Sequence, residues 1–200
     1  MKRIQRRLAL FSAIALGLGF AVVVQAQTTG SDTERNVDQQ QRIEQGLQSG
    51  QLNNHEASRL EQGEARIDHT EQHDLRNGSL SASEKAQIQR EQNRESAAIY
   101  GQKHDAQKGN PNSARSDLMQ ANVQRDVNQE QRIHEGVHND SLTNREVGHL
   151  QGREAHSDHL DARDGRNSYI SPREEYRTQR TDNRDSRAIY RQKHDRQRRH

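Results

Sequence analysis

The chain of 200 residues has no cysteine and no tryptophan, only two phenylalanines and two prolines, and 3% aromatic residues overall. Without cysteine it forms no disulfide, offers no thiolate to a metal or a substrate, and takes no lipid on a thiol. Phe11 and Phe20 both lie within the first 26 residues, so the aromatic side chains beyond them are Tyr100, Tyr169, Tyr176 and Tyr190. Past residue 26 no apolar run approaches the ~20 residues that cross a bilayer. No serine sits in a G-x-S-x-G elbow, and no glycine-rich loop of the phosphate-cradling kind occurs. With so little apolar material to shield a pocket, the chain is expected not to be an enzyme.

The apolar material that is present begins with Met1 to Ala26, which reads as a secretory signal. Lys2, Arg3, Arg6 and Arg7 precede an apolar stretch from Leu8 to Val24, and Val24, Gln25 and Ala26 make a small-residue cleavage site. The expected location is periplasmic or secreted, with no membrane span after cleavage. Lys and Arg number 31 against 29 Asp and Glu, and four of the basic residues lie in the signal. The remainder is therefore slightly acidic, and no nucleic-acid partner is expected. Its intermixed charges read as solvated helix faces.

Helix starts are the clearest local signal. Leu52 to Glu56, Leu80 to Glu84, Leu142 to Glu146 and Ile170 to Glu174 each place a Ser, Thr or Asn three residues before Glu, the capping-box spacing. Pro172 follows Ser171 at the first helical position, where its missing N–H costs nothing. Arg35 to Gln107 aligns without a gap on Arg125 to Gln197 with close to half the positions identical, so the chain carries an internal duplication. The sequence predicts an all-α protein of two tandem three-helix units, at 34–107 and 124–197, with a flexible linker at 108–123 around Gly109 and Pro111. Helices are expected near 34–47, 54–74, 82–105, 124–138, 144–164 and 172–197. The thin apolar seams predict loose packing or an elongated, partly disordered chain, and two units that separate as modules.

Histidine is the enriched reactive residue, with 11 in the chain. Asp68, His69, His73 and Asp74 put two imidazoles one helical turn apart with carboxylates beside them. His134 and His138 repeat the spacing, His156, Asp158, His159 and Asp161 form another cluster, and His104 and His194 close the two units. Such faces suit Cu, Zn or Ni ions. His55, His73, His149 and His156 align with arginines in the other unit, as solvated positions do. The segment from His73 to Glu84 has the glycine, apolar and glutamate positions of an EF-hand loop, but His73 and Leu75 stand where acidic ligands belong, so Ca²⁺ is not expected there.

The G-x-[LI]-[ST]-x-x-E turns and the endings Ile99-Tyr100 through Asp105 and Ile189-Tyr190 through Asp195 resemble those of small secreted proteobacterial helical repeat proteins. That resemblance implies export and a helical build, and it brings no catalytic residues. The Leu, Ser or Thr, and Glu of the turns are also distantly similar to an element of periplasmic stress chaperones of the Spy and CpxP type. The expected function is low-affinity divalent-metal binding or buffering through the His and Asp clusters. The alternative is a periplasmic chaperone or envelope-stress protein that holds unfolded clients on amphipathic helices.

Overall fold

The computed structural model describes residues 29–166 and 170–197. The signal reading, Met1 to Ala26, lies outside the described residues. Six α-helices and one 3-10 turn account for most of the rest: α1 Thr29–Gln48, α2 Asn54–Asp74 followed by the turn Leu75–Asn77, α3 Ala82–Lys103, α4 Ala114–His138, α5 Asn144–Asp164 and α6 Pro172–Lys193. The protein is all-α, and no helix among the described residues is long and apolar enough to cross a membrane.

All four expected capping boxes form. Asn53, Ser81, Thr143 and Ser171 each accept from the backbone N–H three residues on, and Glu56, Glu84, Glu146 and Glu174 accept in turn from the cap residue's N–H. Ser113 caps α4, which therefore starts inside the stretch expected as linker. Residues 114–123 are helical, and Met119 and Val123 are buried in the core. What remains of the connection is held down, since Gly109 N–H donates to the Gly50 carbonyl at 3.0 Å. Gly50 has φ +69°, a conformation glycine adopts freely, and its counterpart Asp140 takes φ 58°.

The two repeats interleave. α1 packs against α4 and α2 against α5, while α3 lies on α1 and α2 and α6 lies on α4 and α5. Both central pairs are antiparallel. The start of α2 meets the end of α5 where Ser58 Oγ donates to the Ala162 carbonyl, and the start of α4 meets the end of α1 through Met119, Val123, Ile43 and Leu47. A separable-module arrangement would leave the α1–α4 and α2–α5 faces in water, and here they bury one another.

Contacts within the repeats correspond closely. Arg42 donates to Ser96 Oγ at 2.7 Å and to its carbonyl at 3.1 Å, while Arg132 does the same to Ser186 at 2.7 and 3.0 Å. Leu52 N–H donates to the Gly46 carbonyl and Leu142 N–H to that of Gly136, both at 2.9 Å. The bundle has an apolar cluster at each end. One is built on Ile43, Leu47, Leu52, Leu60 and Ile99, the other on the aligned Ile133, Val137, Leu142, Leu150 and Ile189. Each such fully buried side chain contributes about 2 kcal/mol through burial. Between these ends most buried side chains are polar, with Val37, Ile67 and Val127 among them.

Candidate metal centre

The polar middle is made by carboxylates at helical spacing. On α2, Glu61, Glu64, Asp68 and Glu71 recur at intervals of three and four, and on α5 Gln151, Glu154, Asp158 and Asp161 occupy the aligned positions. All eight are buried. α1 adds Asn36 and Gln40, and α4 adds Asp126 and Glu130. The acids that do carry an arginine stand toward the rim: Arg125 meets Asp182 at 3.0 Å, Arg163 meets Asp164 at 2.6 Å, and Arg153 pairs with Asp185.

Glu61, Asp126 and Asp158 come closest together. Each offers a carboxylate oxygen, and the three oxygens lie within 4.8 Å of one another, from α2, α4 and α5. The Gln40 amide of α1 joins them, its Nε2 at 3.2 Å from Glu61 Oε2 and 3.4 Å from Asp158 Oδ1. Beyond that amide, and the Asp161 carboxyl beside Asp126, the trio meets no donor among the described residues. Both oxygens of Asp126, Oε1 of Glu61 and Oδ2 of Asp158 are buried without a hydrogen-bond partner, and so is Oε1 of Gln40. Burial disfavours the charged form of each acid and is the main reason all three carboxyls hold their protons well above the ordinary carboxylate range. Neighbouring acids add to it: Asp161 beside Glu61 and Asp126, and Asp68 beside Asp158. Glu130 is raised to about 7 by burial, against a hydrogen bond from Gln151. Asp161 reaches about 8 through burial and the charge of Asp182.

The residues singled out in the sequence separate into two populations. Asp68, Asp158 and Asp161 point into the bundle, whereas His69, His73, His156 and His159 are exposed. Neighbours in a helical sequence stand about 100° apart, which turns His69 outward while Asp68 faces in, and His159 outward while Asp158 faces in. Among the described residues the expected His and Asp groups do not bring three ligand atoms within 4.8 Å of one another. His73 Nδ1 instead meets Asp74 Oδ1 at 2.8 Å. His134 Nδ1 is 3.1 Å from Thr33 Oγ1, and its ring stands edge-on to that of His138. His104 and His194 stack on Tyr100 and Tyr190 with ring centroids 4.1 Å apart in both copies.

His69, His156 and His159 do share a surrounding, a groove of about 790 Å³ along α2 and α5 that Glu95 also lines. At Gly63 a Cβ would run into the Glu95 carboxylate, so the absent side chain admits this acid from α3 to the edge of the carboxylate interior. Burial lifts Glu95 to about 7 despite Arg66, and Glu95 is the strongest charged neighbour of Glu64. The groove thus meets the polar middle at Glu95.

Sequence reasoning missed Glu61, Asp126, Glu64, Glu130 and Glu154. The available signal was the spacing of acids at 61, 64, 68 and 71, which marks one helix face as surely as leucines would. No family model, curated protein or solved structure matches this chain.

Proposed function

We propose that this is an exported, non-catalytic protein built from a duplicated helical unit, and that it binds a divalent cation in its interior between Glu61, Asp126 and Asp158. The observation that carries this reading is Asp126, 1% exposed, with neither oxygen meeting an N–H or hydroxyl donor among the described residues, beside two further buried carboxylates. Buried charges of one sign must be neutralised by protons or by a counter-ion. A cation here would meet up to six carboxylate oxygens, and a seventh from Gln40 if its amide turns over.

Ligand chemistry selects the ion. The site is all oxygen and has no imidazole, which favours Ca²⁺ or Mn²⁺ over Cu²⁺, Zn²⁺ or Ni²⁺. Mg²⁺ demands near-ideal octahedral geometry and gives up its water reluctantly, so a cage of protein oxygens suits Ca²⁺ better than Mg²⁺. Reading the metal site in the interior replaces the surface His clusters as the main seat of binding. The chaperone alternative draws less support, because the apolar seams face inward and the large exposed hydrophobics among the described residues are Tyr100, Tyr176 and Tyr190.

Isothermal titration of the full chain at pH 8 tests this. Ca²⁺ and Mn²⁺ are expected to bind saturably and Mg²⁺ more weakly. Asp126→Asn is expected to weaken Ca²⁺ at least ~10-fold with helicity kept, the scale on which a lost carboxylate is felt. Because the ion displaces protons, affinity falls by about tenfold per pH unit for each proton released. Unchanged Ca²⁺ binding in both Asp126→Asn and Glu61→Gln would rule the site out.

A further inference from the structure

The correspondence between the repeats carries the whole Glu61 cluster to a second place in the bundle. Glu61 maps onto Gln151, Asp126 onto Asn36, Asp158 onto Asp68 and Gln40 onto Glu130. The geometry is reproduced: Gln40 Nε2 donates to Glu61 Oε2 at 3.2 Å, and Gln151 Nε2 donates to Glu130 Oε2 at 3.2 Å with acid and amide exchanged. Resting on the cation-binding reading above, we propose that the protein holds a second divalent cation between Asp68 and Glu130, so that its interior is a two-ion centre.

Independent features point to a ligand at this second place. Glu130 is 2% and Gln151 0% exposed, and Oε1 of each is buried without a partner. Asn36 reaches both Asp68, at 3.4 Å, and Glu71, at 3.1 Å, which brings a third carboxylate alongside. The rim ion pairs include none of Asp68, Glu71 and Glu130.

Glu64 and Glu154 link the two places. They exchange with one another under the repeat, and all four of their carboxylate oxygens are buried without a partner. On α2 Glu64 stands one turn from both Glu61 and Asp68, and on α5 Glu154 stands one turn from both Gln151 and Asp158. These two side chains are therefore the groups available to bridge a pair of ions. Ligands projecting inward from facing helices are how helix bundles hold two metals.

The two subsites are unequal. Among the described residues only the Glu61 cluster closes to within 4.8 Å, and its counterpart has amides where Glu61 and Asp126 supply charge. The second ion is thus the weaker.

Native mass spectrometry and titration of the full chain with Ca²⁺, and with Mn²⁺ followed by electron paramagnetic resonance, test the proposal. The expected result is two ions, the second at least ~10-fold weaker, with spin coupling between two Mn²⁺. Glu130→Gln should reduce two ions to one and leave the tight site. Gln151→Glu, which restores the third acid of the first cluster, should tighten the second ion and serves if Glu130→Gln fails to fold. One ion at saturation, unaffected by either variant, overturns the second site and leaves the first standing. No ion at all overturns both.

Discussion

The ends of the bundle and its middle treat the duplication differently. At the ends the aligned residues keep their type: Ile43 and Ile133, Leu52 and Leu142, Leu60 and Leu150, Ile99 and Ile189. In the middle the repeats exchange acid for amide at nearly constant shape, Glu61 for Gln151, Glu130 for Gln40, Asp126 for Asn36 and Asp32 for Asn122, while Asp182 answers to the longer Gln92. Glu and Gln, and Asp and Asn, have nearly the same volume, so these exchanges leave local packing in place. Charge is what differs. Each exchange keeps one carboxylate where strict symmetry would give two or none, and the acids that remain are gathered most closely around Asp158.

Cutting the molecule between the repeats should have the largest effect on this comparison. Residues 27–110 alone would expose the faces of α1 and α2 that α4 and α5 cover, and residues 114–200 would expose the reciprocal faces. Each half is expected either to lose most of its helicity or to pair with a second copy of itself, in circular dichroism and sedimentation equilibrium. A monomeric half that melts cooperatively would show that the interleaving is dispensable.

Next come the ends themselves. Ile43→Ala and Ile133→Ala each empty a site that is 0% exposed, and each should cost about 2–5 kcal/mol in urea unfolding, the range for truncating a buried aliphatic residue. The two costs should agree to within about 1 kcal/mol if the ends are equivalent in packing. A wide gap between them would mean that Met119 and Val123, found in one cluster only, support it more than the contacts suggest.

The middle should respond to pH. Burial raises Asp32 and Glu95 to about 7, Asp185 to about 6 and Asp161 to about 8, whereas unfolded carboxylates titrate near 4. Below pH ~4 both states are protonated and folding keeps its full stability. Above it the unfolded chain releases protons that the folded chain retains, so stability falls as pH rises toward about 8. The metal-free protein is expected to melt highest near pH 4–5 and several degrees lower at pH 8, with Ca²⁺ restoring the loss at pH 8. Asp126→Asn should raise the metal-free melting temperature at pH 8 and change it little at pH 4.5. Asn36→Asp, which gives the other repeat the same acid, should lower it at pH 8.

The sequence carried the helix boundaries well because caps are local: a side chain three residues from a Glu needs no tertiary information to form its hydrogen bonds. It carried the site poorly because burial is not local. In the sequence Asp68, Asp158 and Asp161 stand near histidines they do not face, and nothing local distinguishes Glu61 and Asp126 from acids on a solvated face. Only the packing of α2 on α5 turns those faces inward, and the 3-4-3 spacing of acids on α2 was the one sign of it in the chain. The start of α4 was misplaced for a related reason, since Met119 and Val123 have no apolar partners in their own repeat and gain them from Ile43 and Leu47.

The smallest expected effect concerns the caps, where the repeats differ in how many amides the cap side chain covers. Asn53 Oδ1 accepts from the N–H groups of both His55 and Glu56 at 3.0 Å, while Thr143 Oγ1 accepts from the single amide of Glu146, at 3.3 Å, and donates to Glu146 Oε2 at 2.7 Å. Both caps lie one residue beyond a fully buried leucine, Leu52 or Leu142, so each fixes where a central helix leaves its turn. Losing an N-cap side chain costs about 1 kcal/mol, and Asn53→Ala should exceed Thr143→Ala by a few tenths of that, since it strands two amides and not one. Matched urea titrations at pH 5, where the interior acids hold their protons, resolve such a difference without interference from the charged middle. Equal costs would show that the second amide finds water as readily as it found Asn53.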